Sequence, residues 1–200
     1  MDLFLDMFSY TFIIYALVAG SLIAVCSALL GVLLVPKRYS MIGDGLSHVA
    51  FGSMAIAMAL NASPLMISIP ITVLSAFLLL RVSSNSNIKG DSSVALISTS
   101  SMALGILITS MTSGLNTDVT SFLFGSILSI AKTDVIISII LAVVVVGFFV
   151  FFYFWFFGIT FDENFSNATG TNVSVYNSLI AVLTALTVVI GMRLMGAMMI

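Results

Sequence analysis

Asp44 and His48 stand four residues apart in the run KRYSMIGDGLSH, and His48 is the sole histidine of the chain. At i and i+4 on a helix, two side chains share one face. A carboxylate oxygen beside an imidazole nitrogen suits zinc, manganese or ferrous iron. Two ligands make a weak site, and weak coordination is what conduction requires, because the ion must also leave. A symmetric dimer would bring two of each group to a shared axis. The plainer reading is that Asp44 caps the helix and His48 bonds to it. Spacing alone gives the two readings equal weight.

The rest of the chain makes that pair conspicuous. Of 200 residues, 60% are hydrophobic and 7% are charged, against about 25% charged in a soluble domain. The chain is therefore an integral membrane protein, in contact with lipid. Charged groups in such a layer cost a few kcal/mol or more unless they meet protein, water or an ion. A single cysteine, Cys26, excludes a disulfide within the chain. A net charge of −2 and the lack of a basic patch give no argument for nucleic acid. The first residues include Asp2 and Asp6, where a secretory signal carries positive charge. The apolar run that follows therefore reads as a retained span.

A span needs about 20 mostly apolar residues. The first covers about 12–35 and stops at Pro36-Lys37-Arg38. The second opens near 41 and fades at 61–63. Pro64 suits the first turn of the third, which ends at 81. The fourth covers about 94–111, the fifth about 135–157, and the last starts near 176 and runs to the end. Residues 119–131 are too few to cross. They read as a re-entrant or interfacial helix, tolerated where protein or a water-filled cavity covers its ends. The expected fold is all-α, with about six spans plus one short re-entrant helix in a single domain, 1–200. Lys37, Arg38, Arg81 and Lys89 fall on one side, which marks it as cytoplasmic and puts the N-terminus outside. Lys132 and Arg193 then lie toward the outside, and the Asp162/Glu163 loop toward the cytoplasm.

The remaining polar positions each have a plain reading. Asp118 suits an outer vestibule, or better an N-cap for the helix after it. Asp91 reads as a cap. Asp162 and Glu163 read as the first turn of a short helix, or as contact with a soluble partner. Twelve methionines, including Met192, Met195, Met198 and Met199, read as packing rather than a copper site. The sequons at Asn167 and Asn172 lie on the expected cytoplasmic side and so go unused. There is no glycine-rich phosphate loop with a lysine and no nucleophile triad. The chain has no engine of its own, so uphill transport must draw on a partner or an ion gradient.

Three stretches together resemble the membrane permease of the bacterial zinc/manganese/iron ABC importers. They are GVLLVPKRYSMIGDGLSH followed by VAFG (31–52), NTDVTSFLFGSIL (116–128), and FDENFSNATGTNV with YNSLIAVLTALTVVIGMRLMGAMM (161–199). The resemblance covers nearly the whole chain, and its first stretch is the most specific. It implies a type II importer fold in the bacterial plasma (inner) membrane and a second permease copy forming a homodimer with the pore on its axis. It also implies cytoplasmic ATP-binding subunits beneath and an extracellular or periplasmic metal-binding protein above. Asp44 and His48 fall on the motif whose groups line the metal path. Phe161, Asp162, Glu163 and Gly170 fall on the coupling helix that contacts the ATPase. Asp118, Phe124 and Gly125 fall on the short helix that helps close the outer gate. Such a subunit is not an enzyme and holds no permanent cofactor; the metal ion is cargo. Family members continue for two or three more helices after the run matched by MGAMMI, so the resemblance implies a partial, C-terminally shortened permease. The alternatives at this stage are an ion-coupled secondary metal carrier and an inactive fragment.

Overall fold

The computed structural model describes residues 10–37, 39, 41–85, 90–112, 123–126 and 130–199, with backbone alone at 80–85 and 90–91. Among the described residues eight helices of six residues or more follow one another: α1 (Thr11–Leu34), α2 (Ile42–Ala59), α3 (Pro64–Asn85), α4 (Gly90–Met111), α5 (Lys132–Phe151), α6 (Tyr153–Phe161), α7 (Glu163–Ala168) and α8 (Val173–Met195). No strand occurs among the described residues. In a lipid layer a helix satisfies its own backbone, which is why an apolar chain of this kind folds so.

Among the described residues four helices are long and apolar enough to cross a membrane: α1, α4 from Ser92, α5 and α8. The described apolar part of α3 is shorter, at Pro64–Leu79. The chain breaks follow local chemistry. Pro64 opens α3 as its sequence position suggests, and Asn61 takes a left-handed φ of 52° in the turn before it. The expected fifth span is interrupted at Phe152, which separates α5 from α6.

α2 is the central helix. It packs on α3, α4 and α8, and 12 of its 18 residues are buried. Its close approach to α4 depends on Gly52, where a Cβ would lie 2.7 Å from the Ser101 carbonyl oxygen. α2 falls outside the apolar set because it carries Asp44 and His48, and its burial keeps most of its surface from lipid.

α8 packs on α1, α2 and α3, with its first turn pinned by aromatics. Tyr176 stacks on Trp155 at 5.9 Å between centroids and meets Phe152 and Phe156 edge-on. The far end differs from expectation. α8 stops at Met195 instead of running to the chain end, and Gly196 follows at φ 87°, ψ 156°, a conformation essentially confined to glycine. Met195 reaches Gly20, the tenth residue of α1. At about 1.5 Å per residue, α8 ends about 14 Å in from the start of α1. Val135 and Ile130 pack with Ala19, Ile23 and Leu194 at the same level, so α5 begins beside the middle of α1.

Candidate functional site

His48 and Asp44 face each other along the first turns of α2, with Nε2 3.4 Å from Oδ1. That separation is long for a hydrogen bond. The two side chains differ in setting: His48 is 15% exposed and Asp44 63%. His48 Nδ1 is buried and meets no hydrogen-bond partner among the described residues. A buried unsatisfied donor or acceptor costs about 1–3 kcal/mol; the nitrogen turned toward Asp44 is the other one, Nε2. Among the described residues no group of three or more His, Cys, Asp or Glu could hold a metal ion. One chain therefore offers two ligands, enough for passing contact and too few for a tight resident ion. The capping reading fails for Asp44. It lies within the first turn, and the N-cap position is Met41 with no side-chain cap.

Ser47 sits between the pair and is fully buried. Its hydroxyl lies 2.7 Å from the Asp44 carbonyl oxygen and 3.0 Å from that of Ala197. The Ala197 contact joins the first turns of α2 to the turn that ends α8.

The expected gate segment arrives at the same place. Residues 123–124 are helical and 125–126 are not; the rest of the expected re-entrant helix, 119–122 and 127–129, lies outside the described residues. Asp118 lies outside the described residues. Phe124 is 64% exposed. Gly125 adopts φ 74°, and a Cβ there would lie 2.5 Å from the Met195 carbonyl carbon. Met198 donates its N–H to the Leu123 carbonyl at 3.1 Å. Two non-helical stretches thus cross on paired glycines, Gly125 and Gly196, next to the helix that carries His48.

The expected coupling residues lie at the opposite end. Phe161 closes α6 and is 66% exposed. Asp162 caps α7, its Oδ1 accepting from Phe165 N–H at 2.9 Å, which is the plain reading of that residue. Gly170 turns the chain at φ 84° with open space where a Cβ would stand. Glu163 Oε1 accepts from Asn177 Nδ2 at 2.9 Å, and Asn177 Oδ1 accepts a short hydrogen bond from Lys37 Nζ. Burial pulls the Lys37 ammonium below its ordinary pKa of 10.5, with Glu163 opposing the shift. These three residues tie the ends of α1, α7 and α8 together.

Sequence reasoning missed one group. Asp134, placed just outside the fifth span by the sequence, is 6% exposed. Its Oδ1 lies 2.8 Å from Arg193 Nη1 and its Oδ2 accepts from Ala131 N–H at 3.0 Å. Arg193, expected toward the outside, points into this pair. A carboxylate at the third helical residue reaching back to the N-cap amide was a readable signal; its partner 59 positions on was not.

The model of the ABC 3 transport family matches residues 9–200. The chain belongs to the ABC 3 transport family. It is a membrane-spanning transport subunit rather than an enzyme, and ATP hydrolysis belongs to a separate subunit. The permease is 27% identical over 195 residues to the manganese transport system membrane protein MntC of Halalkalibacterium halodurans, covering 98% of this chain and 67% of the relative. It is 26% identical over 185 residues to the high-affinity zinc uptake system membrane protein ZnuB of Haemophilus influenzae, covering 92% and 71%. Its fold matches PsaBC from Streptococcus pneumoniae in complex with Fab at a TM-score of 0.83 and 26% identity, over 98% of this chain and 71% of that one. The permease therefore spans about two thirds of the length of these relatives.

Proposed function

We propose that this permease conducts a divalent transition-metal ion, manganese or zinc, through the bacterial plasma membrane into the cytoplasm. Asp44 and His48 contact the ion in transit. The observation that carries this is the placing of His48 Nε2 3.4 Å from Oδ1 of a largely exposed Asp44 in the central helix, too far apart for a strong hydrogen bond between them. An exposed carboxylate on a membrane helix calls for water, protein or a cation against it. Two ligands per chain fit a homodimer in which a second copy supplies two more. The named relatives, one for manganese and one for zinc, support the metal class and leave the choice between the two to experiment.

In this reading Phe161, Asp162, Glu163 and Gly170 form the surface that meets a cytoplasmic ATP-binding subunit, and an extracellular or periplasmic metal-binding protein delivers the ion from outside. The N-terminus is then outside, and residues 118–125 help close the outer gate.

The test is uptake of manganese, zinc and iron, each under its own starvation, with the complete permease and its ATPase. His48→Ala should lower uptake at least tenfold while the complex still assembles. Normal uptake in that variant removes His48 from the path. Uptake of iron alone would overturn the metal assignment.

A further inference from the structure

We propose that Asp134 and Arg193 form a positioning clamp that holds the Gly125/Gly196 crossing in place beside the metal-contacting pair. The proposal rests on the reading of Asp44 and His48 as lining the path.

Arg193 lies three residues before Gly196 on α8, and Asp134 lies nine residues after Gly125 at the start of α5. The 2.8 Å ion pair therefore closes a loop of backbone whose other junction is the 3.1 Å hydrogen bond from Met198 N–H to the Leu123 carbonyl. From that junction the contact runs on through Ala197 to Ser47 and the turn holding Asp44 and His48. The pair sits at the level where Val135 and Leu194 pack on Ala19 and Ile23 of α1, with Asp134 buried and Arg193 40% exposed.

Asp134 is poorly suited to be an ion ligand itself. Each of its oxygens already accepts a hydrogen bond, one from Arg193 and one from Ala131. The crevice that opens on the pair is walled by Leu65, Ile137, Ile190 and Leu194, and offers a passing cation no further donor. An ion pair is also a poor choice for packing alone, since apolar residues of similar size often stabilise as well or better. What it supplies is a directional contact between two helix ends, anchored on the buried Asp134 carboxylate. It holds one register and releases it when either end moves.

The experiment uses the complete permease with its ATPase in proteoliposomes. Leu123→Cys with Met198→Cys reports the crossing through the rate of disulfide formation. Asp134→Asn with Arg193→Gln removes both charges at once and leaves neither unpaired. In that variant the cross-linking rate and the maximal rate of manganese uptake should each fall at least tenfold, with KM within twofold of the parent. Arg193→Lys, which keeps the charge, should retain both within threefold. Cross-linking and uptake within twofold of the parent in the doubly neutral variant would overturn the clamp. Loss of assembly there, with Arg193→Lys assembling normally, would also overturn it by making the pair a folding requirement. His48→Ala separates this from the path reading: it should lower uptake at least tenfold and leave the cross-linking rate unchanged. Normal uptake in His48→Ala refutes the path reading, and the cross-linking rate still decides the clamp.

Discussion

Gly196→Ala should be the most damaging single methyl added to this chain at the glycines where the structure permits a comparison. Two costs combine there. At φ 87°, ψ 156° an L-residue is strained, by about 1–3 kcal/mol. The added Cβ would also lie 2.3 Å from Gly125 N, 2.4 Å from Phe124 C and 2.6 Å from Leu123 O, all of them backbone. No rotamer relieves a backbone clash, so residues 123–125 must move away, at an overpacking cost of about 1–3 kcal/mol. The sum is about 2–6 kcal/mol, a large part of a typical folding free energy of about 5–15 kcal/mol. Two controls isolate the terms. Gly170→Ala carries the same kind of strain at φ 84° with open space around it, so it should cost only about 1–3 kcal/mol. Gly147→Ala, within α5 and also uncrowded, should gain up to about 1 kcal/mol from helix propensity. Thermal midpoints of the detergent-solubilised complex should rank Gly147→Ala highest, then Gly170→Ala, then Gly196→Ala. If Gly196→Ala melts with or above Gly170→Ala, the backbone crossing is not as close as described.

Lys37 gives a pH prediction. Its folded pKa lies below the ordinary 10.5, so the unfolded chain binds more protons and stability rises with pH through the window between the two values. The cost of burying the charge is fully present below the folded pKa and relieved above 10.5. Thermal midpoints of the complex at alkaline pH should show this rise, and Lys37→Met should remove it; an unchanged pH dependence in Lys37→Met would assign the rise elsewhere. Glu163→Gln, by removing the opposing attraction, should move the start of the rise to lower pH. Asp162→Ala should cost about 0.5–2 kcal/mol of α7 stability by losing the cap on Phe165. Asp162→Asn, which can still cap, should retain most of it. Amide exchange at Phe165 reads the difference, and equal exchange in both variants would remove the cap from the account.

Helix starts and stops were legible where they rest on local chemistry. Pro36 and Lys37 after α1, and Asn61 before Pro64, mark breaks that any packing must respect. α2 and α3 were legible as the second and third spans from where their apolar runs open and fade. α2 carries Asp44 and His48, and it is tolerated because α3, α4 and α8 wrap it. The Met195–Gly196 break was hidden because methionines continue on both sides, and only backbone geometry distinguishes a helix from a turn there. Gly125 was identified as a gate residue from a resemblance, but no sequence pattern pairs it with Gly196, 71 positions away. Asp134 was hidden by its place. An acid just before an apolar run looks like a solvated helix start, and it becomes a buried group only because α5 begins beside the middle of α1. Long-range pairing set by where helices end is the information that periodicity lacks.

The exposure of Asp44 presses the argument one step further. Most of α2 is covered, yet this side chain is 63% exposed, on a helix whose neighbours are apolar. A carboxylate turned toward acyl chains costs a few kcal/mol at the least, and the 3.4 Å approach of His48 is too long to offset that by a strong hydrogen bond. The exposed face must therefore meet water or a second polypeptide. Asp44→Cys in the complete complex tests this directly, because Cys26 is buried and gives little background. A charged, membrane-impermeant thiol reagent should modify the new cysteine in either the nucleotide-free or the ATP-trapped state, and excess manganese or zinc should slow reaction in an otherwise identical variant that retains Asp44 and carries the cysteine at the exposed Met41. Silence of Asp44→Cys toward charged reagents in both states, with ready modification by a lipid-soluble maleimide, would place Asp44 against lipid and break the link between this carboxylate and the ion path.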